Sequence, residues 1–347
     1  MLSHWTCIGQ FSRQTLSETK PYTCYVDARR QVYSLNMTVQ RRVISKSPES
    51  SAIEKKIKRG NAQRQASSWR GNVSTLLLLI GVTGLLSWIY FTWTDDFTHT
   101  LVSRGEVLTQ PRVFTVECSE DYKKYKIFPG CTPTKCGRAI SDSVVTLEEA
   151  QKLRRLAERG LSLAGSDGGA SILDLHSGAL SMGKQFVNIY KYFKNEIRDV
   201  FTEEDFELYR DVRGRIQKAI AETFGLDSKQ MYLTKPTFFS RINSTSAKTT
   251  HDEYWHPHID KETYGSFDYT SLLYLSDYGV EFGGGRFVFM DPNSNRTVEP
   301  RAGRVSFFSS GSENLHHVEK VVWGTRYAIT VSFTCDPDYA IDDPSLA

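Results

Sequence analysis

Two stretches of the chain carry apolar residues at the three- and four-residue spacing of an amphipathic helix. The first opens with a capping box at 146–149 and stops at Gly160. The second runs over 202–224 and is followed by Gly225, a residue that commonly ends helices. We therefore predict a helical support region over residues 146–230.

Beyond residue 230 the pattern changes to short runs of β-branched and aromatic residues with turn signals between them. We predict strands over Met231–Ile242, Asp268–Leu275, Arg286–Met290, Arg304–Ser309 and Arg326–Phe333. Sequence this dense in strands suits a sandwich or small barrel with the two helices packed outside it. The expected fold class is α+β, with its β-rich core at 231–340.

Residues 71–94 form an unbroken run without a charged side chain, with a leucine-rich centre and aromatic residues near its end. As a helix this run would reach about 36 Å, enough to cross a hydrocarbon layer about 30 Å thick. A buried core helix or a signal peptide is the alternative, but about 70 mostly polar residues precede the run. We predict one transmembrane helix that acts as a signal anchor.

The charge distribution predicts the orientation of that segment. Residues 1–70 carry 13 Lys and Arg against 4 Asp and Glu, although the whole 347-residue chain has a net charge of only +3. Positive flanks stay cytoplasmic, so we expect a disordered basic tail over 1–70 and a single-pass type II protein with its body in the lumen of the ER or Golgi. Glycosylation sequons at Asn243 and Asn295 agree with a lumenal glycoprotein. The acidic body gives no sign of nucleic-acid binding.

Cysteines support the same compartment. After the uncharged run the chain has four of them, at Cys118, Cys131, Cys136 and Cys335. An even number is compatible with disulfides, whose pairing has three alternatives. Zinc is the competing interpretation, but Cys131-x4-Cys136 lacks a second paired cluster. We predict disulfides, and we predict that residues 95–145 form a lumenal stalk.

A histidine and an aspartate two residues apart open the β-rich half. Because alternate side chains of a strand share a face, His258 and Asp260 should point the same way. We expect the third ligand from the pair at 316–317; neighbours in an extended segment face opposite ways, and the ten-residue spacing to Arg326 favours His316. Two histidines and one carboxylate form the facial triad of non-haem Fe(II) oxygenases, although an HxD motif alone often arises by chance.

Arg326 adds a second chemical signal. On its face of the predicted strand the following residues, Ala328, Thr330 and Ser332, are small. A buried arginine needs a counter-charge, and small neighbours leave room for one to enter. The far carboxylate of 2-oxoglutarate fits, with its oxo-acid end on iron. We expect Thr330 to line this cofactor site and Tyr274 to donate its hydroxyl there, with ordinary aromatic packing as the alternative for Tyr274.

At these residues the chain resembles a known family. The motif His258-x-Asp260, the glycines at 283–285, His316 and the segment Trp323-Gly324-Thr325-Arg326-Tyr327 are similar to the 2-oxoglutarate- and Fe(II)-dependent oxygenase domain of prolyl- and lysyl-hydroxylase type. The resemblance implies a double-stranded β-helix, or jelly-roll. It also implies Fe(II) bound by the two histidines and the aspartate, and 2-oxoglutarate held by Arg326, these four being the catalytic residues. We expect O2 as the other co-substrate and L-ascorbate as an accessory cofactor.

The function expected from these residues is a membrane-anchored dioxygenase that hydroxylates side chains of secretory-pathway proteins. Lysine or proline is the expected target by analogy of fold, and the protein substrate is not identified. A catalytically silent binding or scaffold module is the first alternative. A cupin-type site using His256, His258 and Glu262 is the second, but Lys320 stands where a cupin should place an asparagine after His316. We interpret His256 as a rim or surface group.

Overall fold

A computed structural model describes residues 75–88, 98–194 and 196–346. The predicted tail over 1–70 and both ends of the uncharged run lie outside the described residues. Residues 75–88 are helical (α1). In the part of the chain that is described, no helix combines the length and the apolar character that a bilayer crossing requires.

Both predicted amphipathic helices are present, with the predicted capping box on the first, the predicted glycine at the end of the second and one further capping box that was not predicted. Thr146 and Glu149 form a capping box at the start of α2, and Thr202 and Asp205 form one at the start of α5. Gly225 ends α5 in the left-handed conformation, with φ of +71°. The α-helices of the folded body are α2 Leu147–Ser162, α3 Ile189–Tyr192, α4 Ile197–Val200, α5 Glu203–Phe224 and α6 Asp260–Tyr264. Short 3-10 turns cover Glu120–Lys124, Ser228–Gln230, Thr250–Asp252, Ser312–Asn314 and Pro337–Tyr339.

The strands form two sheets, one of four strands and one of ten. The small sheet has the order β1-β11-β10-β13; in the large one β2-β3-β12-β8-β14-β7-β4-β5-β6 run side by side, with β9 on β14. The strands are β1 Thr98–Val102, β2 Arg112–Val116, β3 Cys136–Ser141, β4 Ala170–Leu173, β5 Ala179–Met182, β6 Gln185–Asn188, β7 Tyr232–Asn243, β8 Tyr269–Tyr274, β9 Phe282–Gly284, β10 Phe287–Asp291, β11 Ser294–Val298, β12 Val305–Ser309, β13 His316–Val318 and β14 Val321–Thr334. The five predicted strands are thus β7, β8, β10, β12 and β14.

Alternation along the central strands turns their side chains toward two different apolar cores, which lie on opposite faces of the large sheet. In β8 and β14, Leu273 and Ile329 face the core that contains α2 and α5, so the helices pack outside the large sheet as expected. Their neighbours Leu272, Tyr274 and Ala328 face the opposite way, into a core shared with β1, β10 and β11 of the small sheet. The site described below lies on this second face, between the sheets.

The prediction of a stalk over 95–145 is wrong. The segment supplies β1, which pairs in parallel with β11, and β3, which pairs with β12 at the other end of the chain. The fully buried Arg304 forms a two-bond ion pair with Asp142, at 2.8 and 3.0 Å. These strands were missed because they are short and half-polar, and their partners lie more than 150 residues away.

Two further boundaries also differ from prediction. The helical support region contains the small strands β4, β5 and β6, which extend the large sheet beyond β7. The β-rich core over 231–340 is present but incomplete, since it needs strands from residue 98 onward.

The prediction of disulfides is confirmed: Cys118 bonds Cys136, and Cys131 bonds Cys335. The second bridge ties the beginning of the folded body to the end of β14.

Candidate metal centre

Three predicted ligands come together between the sheets. One side-chain ligand atom from each of His258, Asp260 and His316 lies within 4.8 Å of the other two. Asp260 Oδ1 is 3.5 Å from His258 Nε2 and 3.8 Å from His316 Nε2. Asp260 and His316 are buried, whereas the side chain of His258 is 34% exposed. The cluster therefore has one open side, at His258.

The local structure that brings these residues together is not the predicted strand. His258 forms an isolated bridge with the first residue of β13: its N–H donates to the His316 carbonyl at 2.9 Å, and the reverse bond is 3.1 Å. Asp260 is the first residue of α6, not an alternate position of a strand. Cross-strand pairing unites the two histidines, and the turn into α6 brings the carboxylate to them.

Backbone carbonyls fix the tautomer of both imidazoles. His316 Nδ1 lies 2.8 Å from the Asn314 carbonyl, and His258 Nδ1 lies 3.0 Å from the His256 carbonyl. A carbonyl only accepts, so each Nδ1 donates and each neutral ring turns the Nε2 lone pair toward the cluster. Burial lowers the pKa of His316 to about 4, which keeps that ring neutral. Neutral imidazole is the form that binds metal.

Aromatic side chains wall the buried histidine. The ring of His316 stacks on Phe287, with centroids 4.9 Å apart, and meets the edge of Phe308 at the same distance. Both phenylalanines belong to the core between the two sheets. This packing fixes the imidazole plane and keeps water away from its buried side.

Arg326 lies in the same interior and is 1% exposed. Its Nε donates to the Gly285 carbonyl at 3.0 Å, but Nη2 is buried with no hydrogen-bond partner among the described residues. Gly285 has φ of +67°, and a Cβ there would lie 3.2 Å from Cδ of Arg326, so a glycine bend allows the close approach. Burial lowers the pKa of Arg326, since no carboxylate offsets the lost hydration. The guanidinium of Arg326 is therefore a buried cation with no counter-charge among the described residues, and an anionic ligand would stabilise it.

Of the other two predicted cofactor residues, Tyr274 lies near this guanidinium, and Thr330 lies four residues after Arg326 along β14. The Tyr274 ring centre is 5.6 Å from the Arg326 guanidinium carbon, and its hydroxyl lies 2.9 Å from Ser306 Oγ. Burial raises the pKa of Tyr274, so its hydroxyl stays protonated. Half-buried Thr330 lies in β14 opposite Leu272 of β8. Ser306, on the next strand β12, was not predicted.

The residues set aside in the sequence analysis stay outside the cluster. His256 is exposed and its Nε2 pairs with Glu253 at 2.8 Å, as expected for a rim or surface group. His317 lies opposite Val288 of β10, and its ring does not take part in the three-residue cluster formed within the described chain. Glu262 is exposed on α6, away from the ligands that a cupin site would need.

Two supporting contacts were missed by sequence reasoning. Thr270 Oγ1 donates to Asp260 Oδ2 at 2.6 Å. Arg138, on β3, donates from Nε to the Asn314 side chain at 2.6 Å and so holds the residue whose carbonyl fixes His316. Alternation from Tyr274 back along β8 could have placed Thr270 on the inner face. No sequence signal links Arg138 to residue 314.

The donor set fits the metal and co-substrate that the motif implies. Two neutral imidazole nitrogens and one carboxylate oxygen suit Fe(II) with positions left open. Thr270, which contacts Asp260, and Tyr274, which lies near Arg326, share one face of β8. The three-ligand cluster and the Arg326 guanidinium, whose Nη2 has no partner within the described residues, therefore border the same interior. A ligand with one end on the metal and a carboxylate at the other would satisfy both.

Comparisons with known proteins give the same class. A model of the 2OG-Fe(II) oxygenase superfamily matches residues 243–334. The Mus musculus protein named 2-oxoglutarate and iron-dependent oxygenase domain-containing protein 3 is 61% identical over 316 residues, covering 89% of this chain and 100% of that protein. Human prolyl 3-hydroxylase 1 is 27% identical over 226 residues, which cover 59% of this chain and 29% of that one.

Among solved structures, the viral collagen prolyl hydroxylase of Paramecium Bursaria Chlorella virus-1 aligns over 56% of this chain and 94% of that chain. The identity is 13% and the TM-score 0.36, which adds no weight. The fold, the site and the sequence matches define a 2-oxoglutarate-dependent dioxygenase, a class that implies Fe(II) and 2-oxoglutarate. Within that class, the chain belongs to the family of 2-oxoglutarate and iron-dependent oxygenase domain-containing protein 3.

Proposed function

We propose that this dioxygenase hydroxylates side chains of polypeptides in the secretory pathway. His258, Asp260 and His316 would hold Fe(II), and Arg326 would bind the far carboxylate of 2-oxoglutarate. The observation that carries the proposal is the buried Nη2 of Arg326, unpaired within the described chain, in the interior that holds the three-ligand cluster. A charge with so high a desolvation cost indicates a bound anion in the working protein.

The chain's own residues divide the work between anchoring, shielding and access. Bound Fe(II) supplies the redox chemistry, in which one atom of O2 enters a substrate C–H bond and the other enters succinate as 2-oxoglutarate loses CO2. Arg326 makes a charge-assisted contact to the co-substrate, and Tyr274 can turn its hydroxyl from Ser306 to the same carboxylate. Phe287 excludes water from the buried side.

The exposed edge of His258 marks the side from which a substrate would approach. A polypeptide side chain can enter there without opening the core between the sheets. Prolyl or lysyl residues are the proposed targets, and the partial match to a protein named prolyl 3-hydroxylase 1 favours proline. We also propose O2 as co-substrate and L-ascorbate as the reductant that keeps the metal ferrous.

The finer features of fold and location belong to the same proposal. We infer that the two facing sheets form a double-stranded β-helix, and that the uncharged run around α1 anchors the chain as a type II protein with a lumenal body. Two disulfides in the folded body favour an oxidising compartment. The sequon residues Asn243 and Asn295 are only partly buried, which leaves them open to glycosylation.

The test is succinate production by the purified full-length protein supplied with Fe(II), 2-oxoglutarate and O2. We expect His258→Ala and Arg326→Ala to lose turnover, whereas the matched surface variant His256→Ala should keep it. Mass spectrometry of secretory proteins, from cells with and without the active protein, should show +16 Da changes. Wild-type turnover in either site variant, or no such modified protein, would contradict the proposal.

A further inference from the structure

The two oxygens of Asp260 have different surroundings. Oδ1 faces the Nε2 atoms of His258 and His316, at 3.5 and 3.8 Å. Oδ2 turns away from them and accepts a 2.6 Å hydrogen bond from Thr270 Oγ1. The buried carboxylate is thus held in one rotational state, with one oxygen presented and the other occupied.

The hydroxyl that occupies Oδ2 is itself fixed. Thr270 is 2% exposed, and its Oγ1 also lies 2.9 Å from Oγ of the buried Ser310. Because the single hydroxyl proton of Thr270 is donated in the hydrogen bond to the carboxylate, Ser310 must be the donor of the second bond. The backbone adds a further tie, since the Lys261 N–H donates to the Ser310 carbonyl at 2.8 Å. The chain from Ser310 to Thr270 to Asp260 therefore has a single direction.

We propose that Thr270 is a positioning residue that limits Asp260 to one metal bond. The proposal rests on the proposed iron site and deepens it. A carboxylate that bound through both oxygens would raise the protein's share of the six octahedral positions from three to four. Only two would then remain, one too few for a chelating 2-oxo acid and O2 together. By holding Oδ2, Thr270 preserves the third open position.

The identity of the acceptor distinguishes this role from that of a buried threonine that only needs a hydrogen-bond partner. The hydroxyl of the neighbouring Ser271 donates to a backbone carbonyl, that of Val331, whereas the partner of Thr270 is the carboxylate oxygen that would otherwise complete a chelate. A chelating 2-oxo acid would take both remaining positions, so the position lost when the donor is removed is the third one, which O2 needs.

The test uses the full-length protein with Mn(II) as the metal and 2-oxoglutarate as the ligand. Water-proton relaxation counts the waters on bound Mn(II), first without and then with saturating 2-oxoglutarate. Thr270→Val should keep Mn(II) but lose about one third of the relaxation enhancement, because three open positions become two. With 2-oxoglutarate bound, the one water expected on the wild-type metal should be absent.

Thr270→Ser keeps the donor and should restore both readouts. The matched control is Thr234→Val, at a buried threonine whose hydroxyl donates to the Tyr339 carbonyl at 2.9 Å. A general loss of stability would lower the melting temperature in both valine variants, but only Thr270→Val should change the water count.

Wild-type relaxation in Thr270→Val, both without and with 2-oxoglutarate, would overturn the inference. If that variant does not fold, Thr270→Ala gives the same decision, because it also removes the hydroxyl that donates to Asp260 Oδ2; unchanged relaxation there contradicts the inference equally. Failure of the underlying site is seen separately, in wild-type protein whose Mn(II) binding is absent or survives His258→Ala.

Discussion

The ion pair between Asp142 and Arg304 gives a sharp test of how the folded body is built. Arg304 is 0% exposed, and five hydrogen bonds from its guanidinium are satisfied. Two go to Asp142, at 2.8 and 3.0 Å, and three go to the carbonyls of Ser103, Glu106 and Glu299, at 3.0, 2.7 and 2.9 Å. One side chain thereby joins the segment after β1, the end of β3 and the end of β11.

Replacing Asp142 with Asn keeps the size of the side chain but removes the counter-charge. Breaking a buried pair by removing one partner costs about 3–5 kcal/mol, because the remaining charge stays desolvated. A domain of this kind has a total stability of about 5–15 kcal/mol, so the loss is a large fraction of it. We expect the midpoint of urea unfolding, followed by tryptophan fluorescence, to fall accordingly.

The matched control is Glu148→Gln, which breaks the exposed pair with Lys152. Their side chains are 75% and 52% exposed, so this change should leave the midpoint of urea unfolding close to that of wild type. If Asp142→Asn unfolded within about 1 kcal/mol of wild type, the packing of residues 98–142 against the core would be refuted. The segment would then behave as the separate stalk that the sequence predicted.

Three further predictions address the site and the disulfides. Burial lowers the pKa of His316 to about 4, whereas an unfolded histidine titrates near 6.5, so metal-free protein should be fully stable above about pH 6.5 and lose up to about 3 kcal/mol as the pH falls toward 4. Urea unfolding in EDTA measures this, and His316→Gln should flatten the difference. Removing the bridge between Cys131 and Cys335, 204 residues apart, should cost about 5 kcal/mol by the loop-closure estimate, measured by unfolding of the double serine variant. Arg138→Met should weaken Mn(II) binding severalfold in calorimetry, since it removes the hydrogen bond from Arg138 Nε to Asn314 Oδ1.

Each of these has an outcome that contradicts it. If the free energy of unfolding depended on pH in the same way with and without His316, the claim that burial lowers the pKa of this histidine would be contradicted. A bridge variant as stable as wild type would mean that the two ends of the body hold together without the covalent link. Equal Mn(II) affinity in Arg138→Met, with the fold intact, would show that the support from β3 does not reach the metal ligand.

Sequence reasoning succeeded where the signal is local. The capping box at Thr146, the apolar spacing over 202–224 and the glycine at 225 gave both long helices with nearly correct ends. The five strand runs were equally visible because β-branched and aromatic residues are concentrated within each run, with turn signals between them. It failed over 98–141, where strands such as Arg112–Val116 alternate weakly and are half-exposed at a sheet edge. Their pairing depends on partners that local pattern cannot reveal.

The site shows the same division. His258, Asp260 and His316 were identified from spacing, and the structure brings them together, but on a bridge and a helix start in place of the expected strand. Thr270 was within reach of strand alternation. Arg138 was not, because its contact with Asn314 joins positions 176 residues apart that share no motif. Supporting residues of this kind follow from topology alone.

The position of β14 has a consequence for how the protein is made. This strand lies in the middle of the large sheet, between β8 and β7, and carries Arg326, yet it is synthesised after both of these neighbours. Until it arrives, its neighbours present open edges, the kind of surface on which nascent chains associate wrongly. The nascent chain should therefore be prone to aggregation until β14 has been made. Ribosome-stalled chains that end before residue 321 should need chaperone protection that the full-length protein does not.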